Sequence, residues 1–485
     1  MIKNFKWLLL VSLTFMACDS NDDDTVTDVP VTSGSADFSK YVALGDSFAA
    51  GYSDNALFRA GQEGAYTNIL AQQFMAAGGG DFAIPLMADN VGGFSSGGVQ
   101  IPQFPTRLFF NGSAPVNVPG VSGEIYGTVL AGPFNNMGVP GAKSFHLAYP
   151  GYGTVNPYFG RFASSAGAKI IDDAVAQDPT FFSLWIGGND VLSYATSGGV
   201  GVNQTGNFNP ATYGSNDITD PNVFAGAFTG LVTALTANGA KGVVANLPYV
   251  NTLPYFTTVP YNPVPLDTAT VGLLSSASGY GTYNGGIQFA LANGLISAAE
   301  AAQRTITFHV GAGNAVVLTD SYLTNLTAYG IPSYRQATSA DLIILPARTF
   351  IGTSVGGNPT LINGVSVPLA DQWVLSKNEI SEVKTATDAY NTTIESVATA
   401  NGLAFVNAKA VMDQLATPAG VAFGSYTMST TYVTGGTFSL DGVHPSPRGY
   451  ALIANKFIEA INAKYGSTLR LVESQNYRIL YPMAL

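Results

Sequence analysis

Cysteine, histidine and charge are all scarce in this chain of 485 residues. Cys18 is the only cysteine, so no disulfide can form within the chain. The three histidines are scattered, and with a single cysteine they do not form a transition-metal cluster of known spacing. The sequence therefore predicts no metal ion and no cofactor, and leaves open only a calcium ion bound by carboxylates.

The charge balance is acidic. Charged residues make up 11% of the chain, and 31 acidic against 20 basic residues give a net charge of -11. A phosphate backbone needs a basic surface, so nucleic acid is not an expected partner. A nucleotide cofactor lacks support as well, because Gly311-Ala312-Gly313 has no third glycine of the dinucleotide fingerprint.

The amino-terminal segment has the pattern of an export signal. Two lysines precede an apolar run over residues 7–15, and Cys18 follows shortly after it. The run is too short to cross a bilayer, so residues 1–17 are predicted to be a signal peptide. Cys18 resembles the lipidated cysteine of bacterial lipoproteins, although Phe15 stands where that motif usually has leucine. An ordinary leader with an incidental cysteine is the alternative.

Residues 18–37 are predicted to be a flexible tether, because their first part is polar, acidic and free of aromatic residues. The acidic start is also similar to the surface-export signal of some Gram-negative lipoproteins. The expected location is therefore the bacterial cell envelope, with a lipid anchor in the outer membrane. The membrane is then a partner through that anchor.

Apolar runs and helical periods alternate through the rest of the chain, which predicts a parallel sheet covered by helices on both faces. The predicted strands are residues 41–44, 180–186, 242–247 and 403–406, and the predicted helices are residues 163–176, 224–238, 376–401 and 446–466. Among the helix signals, Ser376 and Glu379 form a capping box, and Ser446 precedes Pro447 as an N-cap.

These elements indicate one α/β domain over residues 38–466, with a tail over residues 467–485. Long stretches rich in glycine, alanine, asparagine and threonine separate the elements at about 54–130, 195–220 and 255–370. Loops of this length usually carry function or structure of their own. We therefore expect insertions that form lids and short β elements around a site.

A histidine base has few candidates, because the chain holds only His146, His309 and His444. A carboxylate one turn earlier can orient the ring of such a base. Only His444 has one, at Asp441. His444 is therefore the strongest candidate for a catalytic base, and the other two histidines are expected to be ordinary core or surface residues.

Gly45-Asp46-Ser47 follows a predicted strand and opens a predicted helix. A serine at this position lies at the carboxyl edge of a parallel sheet, where open α/β sheets bind ligands. The amino terminus of the helix also favours negative charge. Taken alone, this tripeptide is a common turn sequence.

Four blocks in a fixed order resemble the SGNH/GDSL hydrolase family. They are Gly45-Asp46-Ser47-Phe48, Asn136-Met137-Gly138-Val139-Pro140-Gly141, Gly187-Gly188-Asn189-Asp190 and Asp441-Gly442-Val443-His444-Pro445. Phe48 stands where many members have leucine. Asn246-Leu247-Pro248 is also similar to a strand end of the longer lipase-type members.

The resemblance implies a three-layer α/β/α, flavodoxin-like fold with long insertions. It also implies that Ser47, Asp441 and His444 form a catalytic triad, and that the oxyanion is bound by the Ser47 amide, the Gly141 amide and the Asn189 side chain. The residues alone leave two alternatives open, a plain loop glycine at Gly141 and a helix cap at Asn189.

The activity implied by the resemblance is that of a serine carboxylester hydrolase, an esterase or lipase acting on acyl esters or lipids through an acyl-enzyme. Removal of acetyl groups from polysaccharides is the alternative within catalysis. A surface-binding lipoprotein without activity is the alternative outside it, and the intact set of site residues argues against that. Asp190, the neighbour of Asn189, is interpreted as structural.

Overall fold

A computed structural model describes residues 30–485 of the chain. The predicted signal peptide, Cys18 and most of the predicted tether lie outside the described residues, so these remain predictions. The last part of the tether segment is bonded to the folded unit. The Ser35 amide donates to the Tyr465 carbonyl at 2.8 Å, and the Thr468 amide donates to the Thr32 carbonyl at 3.0 Å.

A five-stranded parallel sheet lies at the centre of the fold. Its strands are β1 (Tyr41–Gly45), β2 (Asn136–Gly138), β3 (Phe181–Trp185), β4 (Lys241–Ala245) and β5 (Ala404–Val406), in the spatial order β5-β4-β3-β1-β2. All four strands predicted from the sequence are present within two residues, whereas β2 was known only as part of a motif. The order changes direction at β1, which is where open α/β sheets place their ligand sites.

The strands pair in register, so their carboxyl ends meet at one edge. Gly45, the last residue of β1, aligns with Gly138 of β2 on one side and with Trp185 of β3 on the other. A side chain at Gly45 would not fit, because its Cβ would lie 2.4 Å from the Trp185 carbonyl oxygen. The close approach of β1 and β3 therefore requires glycine immediately before Asp46 and Ser47.

Helices cover both faces of the sheet, as predicted. Those that matter for the site are α1 (Ser47–Ala50), α2 (Tyr66–Met75), α3 (Ile170–Val175), α4 (Asn189–Thr196), α5 (Pro221–Thr236), α6 (Lys377–Ala400), α7 (Ala408–Leu415) and α8 (Pro447–Tyr465). Helices α2 and α8 pack together on one face, and α3, α5 and α6 pack on the other. Within residues 30–485, no helix is both long enough and apolar enough to cross a bilayer.

The predicted helix caps are present, but one predicted helix is too long. Ser376 and Glu379 form the expected capping box, and Ser446 accepts a hydrogen bond from the Gly449 amide. The helix expected over residues 163–176 is wrong in its first half, since only Ile170–Val175 is helical. Ser164 instead bonds the Asp173 carboxylate through both its amide and its hydroxyl, which competes with helix formation.

The insertions fold into short helices and two-stranded ribbons, which agrees with the expectation of short β elements. The ribbons pair Ser95–Ser96 with Val99–Gln100, Leu108–Phe110 with Pro115–Asn117, Val264–Leu266 with Gly311–Asn314, Val317–Thr319 with Tyr334–Gln336, Leu342–Ile343 with Val374–Leu375, and Ser354–Val355 with Asn358–Ile362. The additional helices are Arg59–Glu63, Pro254–Thr257, Thr268–Ser275, Tyr280–Ala292 and Ala298–Arg304, and Pro157–Gly160 lies between β2 and α3. A last ribbon, Val421–Phe423 with Tyr426–Met428, follows α7.

Candidate active site

Ser47 is the first residue of α1 and follows directly on β1. Asp46 caps this short helix, because its carboxylate accepts a hydrogen bond from the Phe48 amide at 3.0 Å. Burial raises the pKa of Asp46 to about 7, and the Phe48 amide acts in the opposite direction. The strand and the cap together fix the position of the Ser47 hydroxyl at the sheet edge.

His444 contacts the Ser47 hydroxyl although the two residues are 397 positions apart in the chain. Its Nε2 lies 2.9 Å from Ser47 Oγ, and its Nδ1 lies 2.9 Å from Asp441 Oδ2. The structure thus brings the three predicted triad residues into one line of hydrogen bonds. This is the arrangement in which a histidine can take a proton from a serine hydroxyl.

Four donors surround the Asp441 carboxylate. Oδ1 accepts the amides of Val443 and His444, each at 2.8 Å, and Oδ2 accepts His444 Nδ1 and the Asn55 amide, each at 2.9 Å. Burial acts to raise the pKa of Asp441, but the His444 ring and the amides of His444 and Val443 outweigh it and hold the pKa below its usual value. A charged Asp441 keeps the proton on Nδ1, which leaves Nε2 as an acceptor facing Ser47.

Gly141 lies in the loop that follows β2. Its φ of 79° is in the left-handed region that favours glycine, while a Cβ built there would meet nothing within 4 Å. The conformation of the loop, rather than crowding, therefore requires glycine here. Over the described part of the chain, neither the Gly141 amide nor the Ser47 amide has a hydrogen-bond acceptor, so both are free to donate.

Asn189 begins α4, immediately after the loop that follows β3. Its side chain does not cap this helix; its Nδ2 donates instead to the Ala142 carbonyl at 3.0 Å. The cap interpretation that the sequence left open is therefore not what the structure has. A side-chain amide carries two N–H groups, so the second remains available for a ligand at the sheet edge.

Asp190 is wholly buried and holds the loop after Gly141 in place. Its two oxygens accept the hydroxyl and the amide of Ser144 at 2.7 and 2.8 Å. Burial raises the pKa of Asp190, and the two bonds from Ser144 act to lower it. This agrees with the structural interpretation of Asp190.

The other two histidines do not contact the triad. His146 stacks on Tyr152 with ring centroids 4.4 Å apart, and its Nδ1 accepts the Lys143 amide at 3.0 Å. Burial, helped by the charge of Lys143, lowers the pKa of His146 to about 4. His309 is exposed and lies beside the Ala312 carbonyl.

Two apolar cavities adjoin the segments that carry Ser47 and His444. Their volumes are about 70 and about 40 Å³. Both are lined by Phe48, Trp185, Pro248 and Leu253. The smaller cavity also reaches three residues that adjoin the candidate site in sequence, namely Asp46, Gly188 and Val443. The smaller cavity therefore lies against the segments that carry Ser47, Asn189 and His444.

Asn55, whose backbone amide donates to Asp441, was not predicted from the sequence as a site residue. The only local signal was the pair Asp54-Asn55, two residues that tolerate the left-handed conformation of a tight turn. Nothing in the sequence near Asn55 indicates a partner 386 positions away. This residue was assigned to the first insertion rather than to the site.

With the oxyanion-donor role that the family resemblance implies for Asn189, replacing it with alanine should lower kcat for ester hydrolysis about 10²- to 10³-fold and change KM little. An oxyanion donor binds best to charge that exists only in the transition state. Steady-state kinetics and melting temperature should be measured on one preparation. Thr196→Ala, at the other end of α4, is the control and should keep kcat. A destabilised Asn189→Ala protein with unchanged kcat would remove Asn189 from the site.

No family model matches the chain, and no curated protein matches it. Among solved structures, LAE5, an alpha/beta hydrolase from the metagenome of Lake Arreo in Spain, shares 10% identity over 88% of this chain and 96% of its own, with a TM-score of 0.34. A catalytic mutant of Axe2, an acetylxylan esterase from Geobacillus stearothermophilus, shares 10% identity over 89% and 97%, with a TM-score of 0.32. Phospholipase A1 from Streptomyces albidoflavus shares 12% identity over 88% and 100%, with a TM-score of 0.31. Each of these structures is thus similar to most of this chain, at low sequence identity.

Proposed function

We propose that this protein is a serine ester hydrolase that cleaves carboxylic esters through an acyl-enzyme. The observation that carries the proposal is the line of contacts from Ser47 Oγ to His444 Nε2, and from His444 Nδ1 to Asp441 Oδ2, each 2.9 Å long. A serine hydroxyl is a weak nucleophile until a neighbouring base takes its proton. This line supplies the base and the group that orients it.

In the first half of the reaction, Ser47 Oγ bonds to the carbonyl carbon of the ester while His444 Nε2 takes the hydroxyl proton. The carbonyl π electrons move to oxygen, which becomes an oxyanion. The intermediate then collapses, the bond to the alcohol oxygen breaks, and His444 gives its proton to the departing alcohol. Water repeats the sequence on the acyl-Ser47 ester and releases the carboxylic acid.

The developing oxyanion needs donors that are already in place. The Ser47 and Gly141 amides are free, and the Asn189 side chain is tied to the loop of Gly141 through Ala142. These three groups follow β1, β2 and β3, whose carboxyl ends meet at one edge. We infer that they bind the oxyanion together.

We further propose that the acyl group of the substrate is apolar and longer than acetyl. The support is the pair of apolar cavities around Phe48 and Trp185, one of which reaches residues next to Ser47, Asn189 and His444. Burying each additional methylene group in such space is favourable by about 0.8 kcal/mol. An acetyl group has a single methyl group to bury there and would gain the least from these cavities.

The test is a rate series over p-nitrophenyl esters from acetyl to palmitoyl, run beside acetylated xylan, with labelling by a fluorophosphonate probe. We expect one label at Ser47 and a kcat/KM that rises from acetyl to a longer acyl chain. Hydrolysis confined to acetylated xylan would replace the acyl-ester substrate with a polysaccharide acetyl ester. A protein that is neither labelled nor active on any ester would overturn the proposed function.

We also propose that the protein is attached to the bacterial envelope by lipid on Cys18, which the sequence alone supports. One acyl chain anchors a protein marginally and two anchor it stably, so we expect diacylation. Mass spectrometry of the mature amino terminus measures this directly. Cleavage at another position with an unmodified Cys18 would contradict it.

A further inference from the structure

We propose that the tight turn over residues 53–56, backed by Arg107 and by residues 481–483, is a positioning element that orients Asp441 and, through it, His444. The inference rests on the proposed function, because it assigns a role in setting up the triad of that function. None of these residues was a candidate in the sequence. They belong to the first insertion and to the tail.

The turn itself is strained. Ser53 and Ala56 exchange both of their backbone hydrogen bonds, at 3.1 and 3.0 Å, so only Asp54 and Asn55 lie between them. Both central residues have positive φ, 50° at Asp54 and 64° at Asn55, as a two-residue hairpin turn requires. Residues other than glycine remain in this conformation when their surroundings hold them there, and such positions concentrate at functional sites.

The turn is held by the loop that carries both the acid and the base. Four hydrogen bonds join them: the Asn55 amide to Asp441 Oδ2 at 2.9 Å, the Leu440 amide to Asp54 Oδ1 at 2.9 Å, the Asp54 amide to Ser439 Oγ at 3.0 Å, and the Ser53 hydroxyl to the Pro445 carbonyl at 3.0 Å. These contacts begin two residues before Asp441 and end one residue after His444. The turn therefore fixes the loop on both sides of the two catalytic groups.

The bond from Asn55 acts on the reacting geometry. Its amide donates to the same oxygen, Oδ2 of Asp441, that accepts Nδ1 of His444. Fixing that oxygen fixes the direction in which the imidazole ring points, and so the 2.9 Å contact between Nε2 and Ser47 Oγ. Such outer contacts set both the orientation and the basicity of a catalytic group.

The Asp54 carboxyl is the unusual group in the turn. It is 1% exposed, and within the described residues its Oδ2 has no hydrogen-bond partner. Burial raises the pKa of Asp54 to about 7; the Leu440 amide lowers it, Asp441 raises it and Arg107 lowers it. A buried, half-paired carboxyl costs stability, so its location against the Asp441 loop supports a role beyond folding.

Behind the turn, Arg107 connects it to the end of the described chain. The Leu108 amide donates to the Asp54 carbonyl at 2.7 Å, and the buried Arg107 guanidinium donates to the carbonyls of Pro482 and Met483 at 2.7 and 2.9 Å. The guanidinium also lies 5.3 Å from the centre of the Phe58 ring, against which Tyr481 packs edge-on at 5.0 Å. Residues 481–483 are thus joined to the turn through Arg107 and Phe58.

The first test compares Asp54→Ala with Asp54→Asn. Alanine removes the acceptor of the Leu440 amide, so we expect kcat to fall about 10- to 100-fold with KM changed less than about twofold. Asparagine keeps an acceptor oxygen and should restore most of the loss. Each substitution is also made in an Asp441→Asn protein. The rate of fluorophosphonate labelling is then measured in both the parent and the Asp441→Asn background, so that the two losses can be compared.

If Asp54 acts through Asp441, Asp54→Ala should lower the labelling rate less than about twofold in the Asp441→Asn protein, because residue 441 no longer orients His444 there. An equal loss in both proteins would show a general structural effect and overturn the proposal, as would a folded Asp54→Ala protein with normal kcat. The unsubstituted protein keeps its esterase activity in all these cases. If the unsubstituted protein had no esterase activity, the proposed function would fail instead.

The second test removes residues 481–485 and compares the product with a protein that lacks only residues 484–485. The longer deletion removes the Pro482 and Met483 carbonyls, which accept from Arg107, and the Tyr481 ring, so we expect a loss of kcat like that of Asp54→Ala. The shorter deletion retains these contacts and should retain kcat. Equal kcat in two folded deletion proteins would remove residues 481–483 from the proposal, and if the longer deletion does not fold, the Asp54 comparison decides.

Discussion

Replacing Ser47 with alanine should lower kcat for ester hydrolysis by about 10⁵- to 10⁶-fold and leave the melting temperature nearly unchanged. The hydroxyl is the proposed nucleophile, and its contact is with His444 Nε2 at 2.9 Å. Removal of one member of such a unit costs about as much as removal of several. His444→Ala should therefore be equally severe, and the double variant should lose little more than either single variant.

The measurements are kcat, active-site labelling and melting temperature on one set of preparations. Ser297→Ala is a matched control, because Ser297, like Ser47, stands at the start of a helix. Ser297 lies in an insertion, where its hydroxyl caps that helix. It should keep normal turnover. A folded Ser47→Ala protein with near-normal turnover would overturn the proposed mechanism.

Ser47, Asp441 and His444, which the structure joins by hydrogen bonds, could be singled out in the sequence because each has a local signal. Ser47 follows an apolar run that forms β1, and all five residues of that strand are buried. Asp441 precedes His444 by three positions, and the structure has them bonded through that spacing. Strand ends and short spacings are properties of neighbouring residues, so they can be seen without knowing the fold.

β2 and the extent of α3 were harder to predict. β2 is the three residues Asn136-Met137-Gly138, which have no apolar run. The strand is held instead by side-chain bonds from Asn136 to the Ala49 carbonyl and to Thr67 Oγ1, both distant in sequence. For α3, the helical pattern was present, but the bonds between Ser164 and Asp173 prevent a helix at its start.

The role of Gly141 and Asn189 lies between these cases. Local reasoning favoured a loop glycine and allowed a helix cap, and only the family resemblance suggested oxyanion donors. The sequence near Asn189 did not indicate the contact that its side chain makes, with Ala142, which follows Gly141 but lies 47 positions from Asn189. Contacts between two strand ends depend on the order of strands in the sheet, which the sequence pattern does not specify.

Replacing Asp441 with asparagine should lower kcat about 10⁴-fold, the loss expected when a triad histidine is left in the wrong tautomer. The two carboxylate oxygens accept four donors, from Val443, His444 and Asn55. Asparagine has one acceptor oxygen. Whichever way its amide turns, an NH₂ group must face two of these donors.

If the NH₂ group replaces Oδ2, it faces His444 Nδ1, which can then only accept. The proton moves to Nε2, and His444 can no longer take the proton of Ser47. If the NH₂ group replaces Oδ1, it faces the amides of Val443 and His444, and the loop loses both bonds. Each orientation disables the base, the first through its tautomer and the second through its position.

Stability gives an independent check on the same variant. The pKa of Asp441 is below its usual value in the folded protein, so the carboxylate contributes stability above the unfolded pKa and loses that contribution as pH falls through the folded one. A neutral asparagine side chain at this position makes no such contribution. The unfolding free energy of Asp441→Asn should therefore be lower than that of the parent at pH 7, and the difference should shrink below about pH 4. Asp388→Asn, on the outside of α6, is the control; normal kcat in a folded Asp441→Asn protein would show that His444 does not depend on Asp441 for its orientation.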